Sequence, residues 1–177
     1  MSTVSSPTST RSPIGVFSAE AHAAHLASWA GLPAWLAERK RKAHTAFASL
    51  PLPRRTDEMW RFSDITEISL EGIAPSPAAS QAAITPLAVK HAAEITFVNN
   101  VARPVAVSTP LPAGVIVTTL AEAAVKHADL VRAHFMAQPQ KLGSEKFAAL
   151  HTAFVRDGAF IYVPRGIELP EIGRAHV

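Results

Sequence analysis

The spacing of apolar side chains predicts two helices near the start of the chain. Ser18 can cap a first helix that runs to about Ala30, and Gly31 and Pro33 separate it from a second one. The apolar side chains of the second helix share one face at helical spacing: Leu36, Ala43, Phe47 and Leu50. The charged run 38–42, "ERKRK", is interpreted as the solvated side of this helix.

The second half of the chain has the pattern of short strands. The segments "EITFVNN" and "PVAVSTP" predict two strands around a turn of two asparagines, and the β-branched "GVIVTTL" predicts a third strand. The segment "AFIYVP" predicts another strand, which a tight turn at "RG" joins to a further strand beginning at "IEL".

Helices are predicted between these strands. Thr119 and Glu122 form a capping box that starts a helix running to about Phe135, with Val131 on its apolar side. Ser144 begins another helix with an apolar face. That face carries Phe147, Leu150, His151 and Phe154.

The predicted fold class is α+β, with a helical region followed by a region of mixed strands and helices. Residues 1–16 are predicted to be a disordered tail, because they are rich in Ser, Thr and Pro, and 17–72 to be the helical region. The Pro/Ser/Ala-rich residues 73–92 are interpreted as a linker, and 93–170 as the strand and helix region. Residues 171–177 look like a non-native tail and are set aside.

Composition excludes several classes of protein. The chain of 177 residues has no cysteine, which removes disulfides, thiolate metal ligands and cysteine nucleophiles, and it fits a cytoplasmic protein. It has no Gly-rich phosphate loop and no G-x-S-x-G elbow, and no apolar run approaches the roughly 20 residues that span a bilayer. The N-terminus lacks the apolar core of a signal peptide, and an organelle transit peptide stays open. The net charge of +3 is too weak and dispersed to indicate a nucleic-acid binder.

The histidines are interpreted as structural, not metal-binding. His22 and His25 are three residues apart on a predicted helix, but no third ligand is near them in sequence, so both are expected on an exposed face. His127 and His134 are expected at the surface or partly buried, and His151 in the core. No residue is predicted to hold a metal or cofactor.

The densest stretch is "PRRTDEMWRFSDI", residues 53–65, and three interpretations compete for it. Asp57, Glu58 and Asp64 could form an acid–base set. The arginines and aromatic residues of 54–62 could bind a nucleic acid, although carboxylates in the same stretch would repel its phosphates. The favoured interpretation is a packing and docking element. In it, Thr56 caps a short helical turn, Trp60 and Phe62 are buried, and Arg61 pairs with Glu58.

This stretch resembles the N-terminal signature of the SufB/SufD family, which has a Pro-rich lead followed by Glu-x-Trp-(Arg/Lys)-(Tyr/Phe)-(Thr/Ser)-Asp. The matching positions are Glu58, Trp60, Arg61, Phe62, Ser63 and Asp64. A second similarity lies in "ITFVNNVARPVAVSTPLPAGVIVTTLAEA", which is most like SufD. There Asn99 keeps the family's asparagine, Asn100 replaces its usual glycine, and Thr119 replaces its usual serine. Asparagine tolerates positive φ, so the turn is expected to survive.

A third similarity lies in "KFAALHTAFVRDGAFIYVPRGIEL", where Gly158, Pro164 and Gly166 match the family's Asp-Gly and Val-Pro-x-Gly, and His151 stands where asparagine is common. The three matches occur in the family's order over about residues 20–169.

The resemblance implies a non-catalytic, SufD-like scaffold subunit of the SUF iron–sulfur cluster assembly complex. Its implied partners are SufB and SufC, the ATPase that binds ATP, with neither nucleic acid nor membrane as a partner and no cofactor in this chain. The implied fold enters a right-handed parallel β-helix, of which this chain would hold only the first coil, and the SufC-docking region would lie outside it. The motif positions are expected to be structural or docking residues. The alternative is a nucleic-acid-binding or interaction module using residues 54–62.

Overall fold

A computed structural model describes residues 14–65, 68–73, 90–99, 101–140 and 143–169. The helices within these ranges are α1 (Ala19–Ala27), α2 (Ala34–Ser49), α3 (Leu120–Lys126), α4 (Ala128–His134) and α5 (Glu145–Phe154). The strands are β1 (Ala93–Glu94), β2 (Phe97–Val98), β3 (Val101–Ala102), β4 (Ala106–Val107), β5 (Ile116–Thr119) and β6 (Ala159–Tyr162). The α+β class is therefore confirmed. None of the described helices is both long enough and apolar enough to cross a membrane.

The chain divides into two units that are not contiguous in sequence. The first comprises Met1–Ser28, Arg39–Ala74 and Pro139–Phe154, and the second comprises Trp29–Glu38, Pro75–Gln138 and Val155–Val177. Much of the predicted tail, linker and non-native end lies outside the described residues, at 1–13, 74–89 and 170–177.

The helix starts agree with the capping signals in the sequence. The Ser18 hydroxyl accepts a hydrogen bond from the Ala21 amide at 3.2 Å, as an N-cap should. Helix α1 ends at Ala27, before the predicted Ala30, and Gly31 follows at φ +74°. Helix α2 begins directly after Pro33, as predicted.

Aromatic side chains form the centre of the first unit. Phe47 of α2 is fully buried, and its ring meets Phe17 edge-on at 6.2 Å. Phe17 in turn packs against Phe154 of α5 at 5.0 Å. Edge-to-face contacts of this kind add to the stabilisation that comes from area burial.

Leu36, Ala123, Ala124 and Val131 are the buried centre of the second unit. The single helix predicted from Thr119 to Phe135 is instead two short helices. His127 leaves the helical region at φ −131° and ψ +42°, between α3 and α4. The two alanines and Val131 can then reach the same core from different helix axes.

The strands pair in three separate antiparallel ladders. Strand β1 pairs with β4, β2 with β3, and β5 with β6. Val98 lies opposite Val101, so the predicted asparagine turn is present, and Asn99 has φ +48°. Asn100, which was expected to adopt the positive φ, lies outside the described residues.

The expected entry into a parallel β-helix is not confirmed. Strand β6 pairs antiparallel with β5 over four residue pairs, from Ile116–Tyr162 to Thr119–Ala159. The strand predicted at "IEL" is absent from the described residues 167–169, which follow the turn as irregular chain.

Candidate docking site

A single 3₁₀ turn, Glu58–Trp60, presents the tryptophan of the first motif. Its N-cap is Asp57 and not the predicted Thr56. The Asp57 carboxylate reaches back to accept a hydrogen bond from the Arg54 amide at 2.8 Å. This local bond between a side chain and the backbone closes the turn that leads from the end of α2 to the 3₁₀ turn.

Most of Trp60 is buried, which agrees with the expectation of substantial burial. Its indole N–H donates to the Gly143 carbonyl at 3.0 Å, and its ring meets Phe147 of α5 edge-on at 6.0 Å. Gly143 has φ +72°, and a Cβ atom there would lie 2.8 Å from Trp60 Nε1. Only glycine therefore allows this approach, a role that the sequence analysis did not identify.

Replacing Trp60 with alanine should lower the free energy of unfolding by about 2 kcal/mol. The loss combines one hydrogen bond with the contact on Phe147 and is moderated by the partial exposure of the ring. Trp60→Phe keeps an aromatic ring and loses the N–H donor, so about 1 kcal/mol should be lost. Urea titration of both variants measures the two effects. A loss below about 0.5 kcal/mol for Trp60→Ala would contradict the described contacts.

A cleft of about 220 Å³ lies beside Trp60. Residues 50–53 form one wall, the 57–60 turn forms another, and Gly143, Glu145 and Lys146 close it near the start of α5. All of these residues belong to the first unit.

Lys146 is buried, with only 4% of its surface exposed, because its ammonium group donates hydrogen bonds to backbone carbonyls at the C-terminal end of α2. Its Nζ donates to the carbonyls of Phe47 at 2.8 Å and Leu50 at 2.6 Å, and lies over the Phe47 ring at 4.3 Å. The helical partner of the Phe47 carbonyl would be the amide of residue 51, but Pro51 has no N–H. A cation at this end also favours the helix dipole. Burial lowers the pKa of Lys146.

The remaining residues of the first motif lie at the surface. Arg61 pairs with Glu58 at 2.9 Å in an exposed ion pair, which confirms that prediction. Phe62 is 89% exposed and Met59 is 52% exposed, so the expectation that Phe62 is buried is wrong. The Arg61 guanidinium covers one side of the Phe62 ring, 4.4 Å from its centroid. Asp64 is also exposed, whereas Trp60 bonds Gly143 just before α5.

The ion pairs of this segment weigh against a phosphate-binding surface. The Arg54 guanidinium lies 3.7 Å from the Asp57 carboxylate, as Arg61 lies near Glu58. Each carboxylate would repel a nucleic-acid backbone that approached its arginine. Within the described ranges, no three His, Asp or Glu side chains are grouped as a metal ion would require.

The second and third motifs meet at one end of the β5–β6 ladder. In each motif a proline carbonyl accepts a hydrogen bond from the residue three positions later, Val115 to Pro112 at 3.0 Å and Ile167 to Pro164 at 3.1 Å. Gly114 and Gly166 take the positive φ in these turns, at +82° and +81°. A Cβ atom on Gly114 would lie 2.9 Å from Pro164 Cγ, so the two turns are in direct contact.

Replacing Gly114 with alanine should destabilise the chain by about 2 kcal/mol, because positive φ and a clash with Pro164 act together. Gly166→Ala is the matched control, since its φ is similar and nothing lies within 4 Å of a new Cβ atom. It should cost only about 1 kcal/mol. The loss of stability in each variant is measured by thermal unfolding. Equal losses would show that the Gly114–Pro164 contact contributes nothing.

At the other end of the β5–β6 ladder, the second motif begins helix α3. Thr119 accepts from the Glu122 amide at 3.1 Å, which is half of the predicted capping box. The Glu122 carboxylate bonds Thr118 and Lys126 instead of completing the box.

Asp157 adds a second cap to α3 that sequence reasoning missed. Its carboxylate accepts from the Ala121 amide at 2.8 Å, and the neighbouring Gly158 carbonyl accepts from the Leu120 amide at 2.7 Å. Asp157 and Gly158 therefore join the start of β6 to the start of α3.

The histidines of α1 correct the expectation of an exposed face. His22 is only 5% exposed, and its ring stacks on His44 of α2 at 4.5 Å with 9° between the planes. Burial, followed by the nearby His44 and Lys40, lowers the pKa of His22 to about 4. His151, expected in the core, is exposed. His127 is partly buried and His134 exposed, which fits their prediction.

Lys40 corrects the interpretation of the "ERKRK" run as a purely solvated face. It is fully buried, and its Nζ donates to the Ala153 carbonyl at 3.2 Å and lies 3.3 Å from His25 Nε2. Burial lowers its pKa to about 8. The side chain lies in the row of Leu36 and Phe47 along α2, so this helix face carries a cation at its centre.

A comparison with known protein families matches the part of the sequence that holds the second and third motifs. Residues 88–172 match the family model described as the SufBD protein N-terminal region. The chain is 28% identical over 148 residues to the iron–sulfur cluster assembly protein SufD of Bacillus subtilis (strain 168), covering 77% of this chain and 33% of that protein. It is 26% identical over 139 residues to the iron–sulfur cluster assembly SufBD family protein slr0076 of Synechocystis sp. (strain ATCC 27184 / PCC 6803 / Kazusa), covering 76% and 30%.

The chain thus spans about a third of the length of the curated relatives it matches. No solved structure matches it. The matched region contains both Pro-x-Gly turns, the asparagine turn, and the Asp157 cap. The chain is therefore similar to the N-terminal portion of the SufB/SufD family, and it is SufD-like.

Proposed function

We propose that this chain is part of a SufD-like scaffold subunit that supports iron–sulfur cluster assembly, without being a catalyst itself. The observation that carries the proposal is the match of residues 88–172 to the SufBD N-terminal region. The names of both curated relatives include iron–sulfur cluster assembly, which supports the same role.

The chemistry of the motif residues supports a scaffold role. Gly114 and Pro164 join two turns, and Asp157 caps a helix, so these positions are used for folding. The sequence contains no phosphate loop, so in this proposal ATP is bound by SufC, and SufB is the paired subunit. A parallel β-helix following β6 and a cytoplasmic location belong to the same proposal, the latter because the chain has no cysteine to form disulfides.

The proposal can be tested with a chimera of the B. subtilis relative. Residues 14–169 of this chain would replace the segment of that SufD to which they align, with an affinity tag on the chimera. SufB and SufC should co-purify with it in amounts close to those found with intact SufD. A chimera in which the inserted residues are shuffled is the control. If the chimera has native-like circular dichroism but retains neither partner, the scaffold role of this portion is wrong.

A further inference from the structure

We propose that the cleft beside Trp60 is a docking site for an apolar protein segment that carries lysine or arginine. The occupant is a partner protein, not a small molecule or a nucleic acid. This surface is additional to the proposed scaffold role and can be tested independently of it.

The apolar part of the site is both concave and exposed. Leu50, Leu52, Met59 and Trp60 line the cleft, and Met59 has 52% of its surface exposed. Phe62, two residues beyond Trp60, is 89% exposed. Large apolar side chains that stay in solvent around a cleft are typical of protein-binding surfaces.

The charges that line the cleft determine the kind of partner. Asp57, Glu58 and Glu145 contribute carboxylates, and Lys146 contributes the one lining ammonium group among the described residues. The Lys146 ammonium donates to the carbonyls at the end of α2 and is buried, so it does not offer its charge to a ligand. The charge presented to solvent by the lining is therefore negative, which favours a cationic segment and disfavours an acidic or phosphorylated one.

The existing ion pairs on the rim do not prevent such binding. Glu58 pairs with Arg61 and Asp57 with Arg54, and the arginine and glutamate side chains are more than half exposed. Exposed pairs of this kind contribute little, so a lysine or arginine of the partner can replace or join them.

The walls of the cleft are held in place before any partner arrives. The Trp60 indole is bonded to the Gly143 carbonyl, and Lys146 ties the start of α5 to the end of α2. A site that needs little rearrangement loses less binding energy to the ordering of its own side chains.

The test uses the 177-residue chain and two short fluorescein-labelled peptides. One peptide is built from leucine, proline and lysine, and the other has glutamate at every lysine position. Fluorescence anisotropy at low salt should give saturable binding of the basic peptide only. The Glu58→Gln and Glu145→Gln variants should each weaken it about threefold, and together about tenfold. Glu71→Gln, an exposed carboxylate that does not line the cleft, removes the same charge and should leave affinity unchanged.

Met59→Gln separates docking at the cleft from simple charge attraction. Met59 is exposed, so the variant should fold normally while binding the basic peptide about fivefold more weakly. Equal binding of both peptides, equal weakening by Glu71→Gln, or no saturable binding would each overturn the proposal. Self-association that Met59→Gln abolishes, measured by sedimentation without peptide, would overturn it by identifying a second copy of the chain as the occupant.

Discussion

Replacing Lys146 with methionine should lower the free energy of unfolding by about 3 kcal/mol. Methionine preserves most of the side-chain volume but cannot donate to the carbonyls of Phe47 and Leu50. Because Pro51 has no N–H, the Phe47 carbonyl gains no replacement donor from the position that would normally supply one. The buried bond to the Phe47 carbonyl and the partly buried bond to the Leu50 carbonyl, both charge-assisted, are then lost.

Lys126→Met provides the control for removing a lysine. Lys126 is on α3 and pairs with Glu122 in the exposed ion pair of that helix. Its loss should cost less than about 0.5 kcal/mol. Guanidinium unfolding of both variants measures the difference. A cost below about 1 kcal/mol for Lys146→Met would show that the end of α2 does not depend on this ammonium group.

Stability should fall by about 3 kcal/mol between pH 7 and pH 4 through His22 alone. The pKa of its imidazole is about 4 in the folded chain and 6.5 in the unfolded chain. The unfolded state therefore binds more protons in this range, and stability is lost as the pH falls. The stabilisation is fully present above pH 6.5 and disappears as the pH passes through about 4. Protonation would place a cation beside His44 and the buried ammonium of Lys40.

The comparison that isolates this effect uses His22→Phe, which keeps a flat ring against His44. The slope of stability against pH between 5 and 6.5 should become nearly flat in this variant, whereas the exposed His134→Gln should retain the original slope. Restricting the range to pH values above 5 separates His22 from the carboxylates, whose titration dominates below that value. Identical slopes for His22→Phe and the unaltered chain would contradict the buried position of His22.

Lys40 should make the free energy of unfolding depend on pH in the alkaline range as well. Its pKa is about 8 in the folded chain against 10.5 in the unfolded chain, so the folded state releases its proton first. Stability should therefore rise as the pH increases from about 8 to 10.5, and Lys40→Met should remove this rise.

Local signals in the sequence predicted much of the secondary structure correctly. Ser18 caps α1, Pro33 precedes α2, and Gly166 forms its turn, because each of these features depends on a few neighbouring residues. The Arg61–Glu58 pair was predictable for the same reason, since three residues separate the two side chains.

The predictions that failed concern the burial of polar side chains whose hydrogen-bond partners are distant in sequence. Lys146 is buried because two carbonyls about a hundred residues earlier lack donors, and Lys40 because Ala153 offers it a carbonyl. Helical spacing alone describes which face a residue occupies, and not whether a distant acceptor will allow a charge to be buried there. For Lys146, the available signal in the sequence was Pro51, which lies just beyond the end of α2 and leaves a carbonyl of the last helical turn without its usual donor.

The candidate site was predicted in location but not in detail. The first motif was identified as a packing and docking element, and Trp60 does pack against α5 through Phe147. The exposure of Phe62 depends on the direction of a single 3₁₀ turn, which three residues of sequence do not determine. The antiparallel pairing of β5 with β6 joins residues forty or more positions apart and likewise could not be inferred from either strand alone.

The most direct test of the scaffold role is the activity of an iron–sulfur enzyme in cells that depend on the chimera. B. subtilis cells depleted of their own SufD would express SufD in which residues 14–169 of this chain replace the aligned segment, and aconitase activity would be measured in the extracts. Activity close to that of cells with intact SufD is expected from the chimera, and background activity is expected with the shuffled segment. Background activity from a chimera that accumulates and folds would contradict the scaffold role.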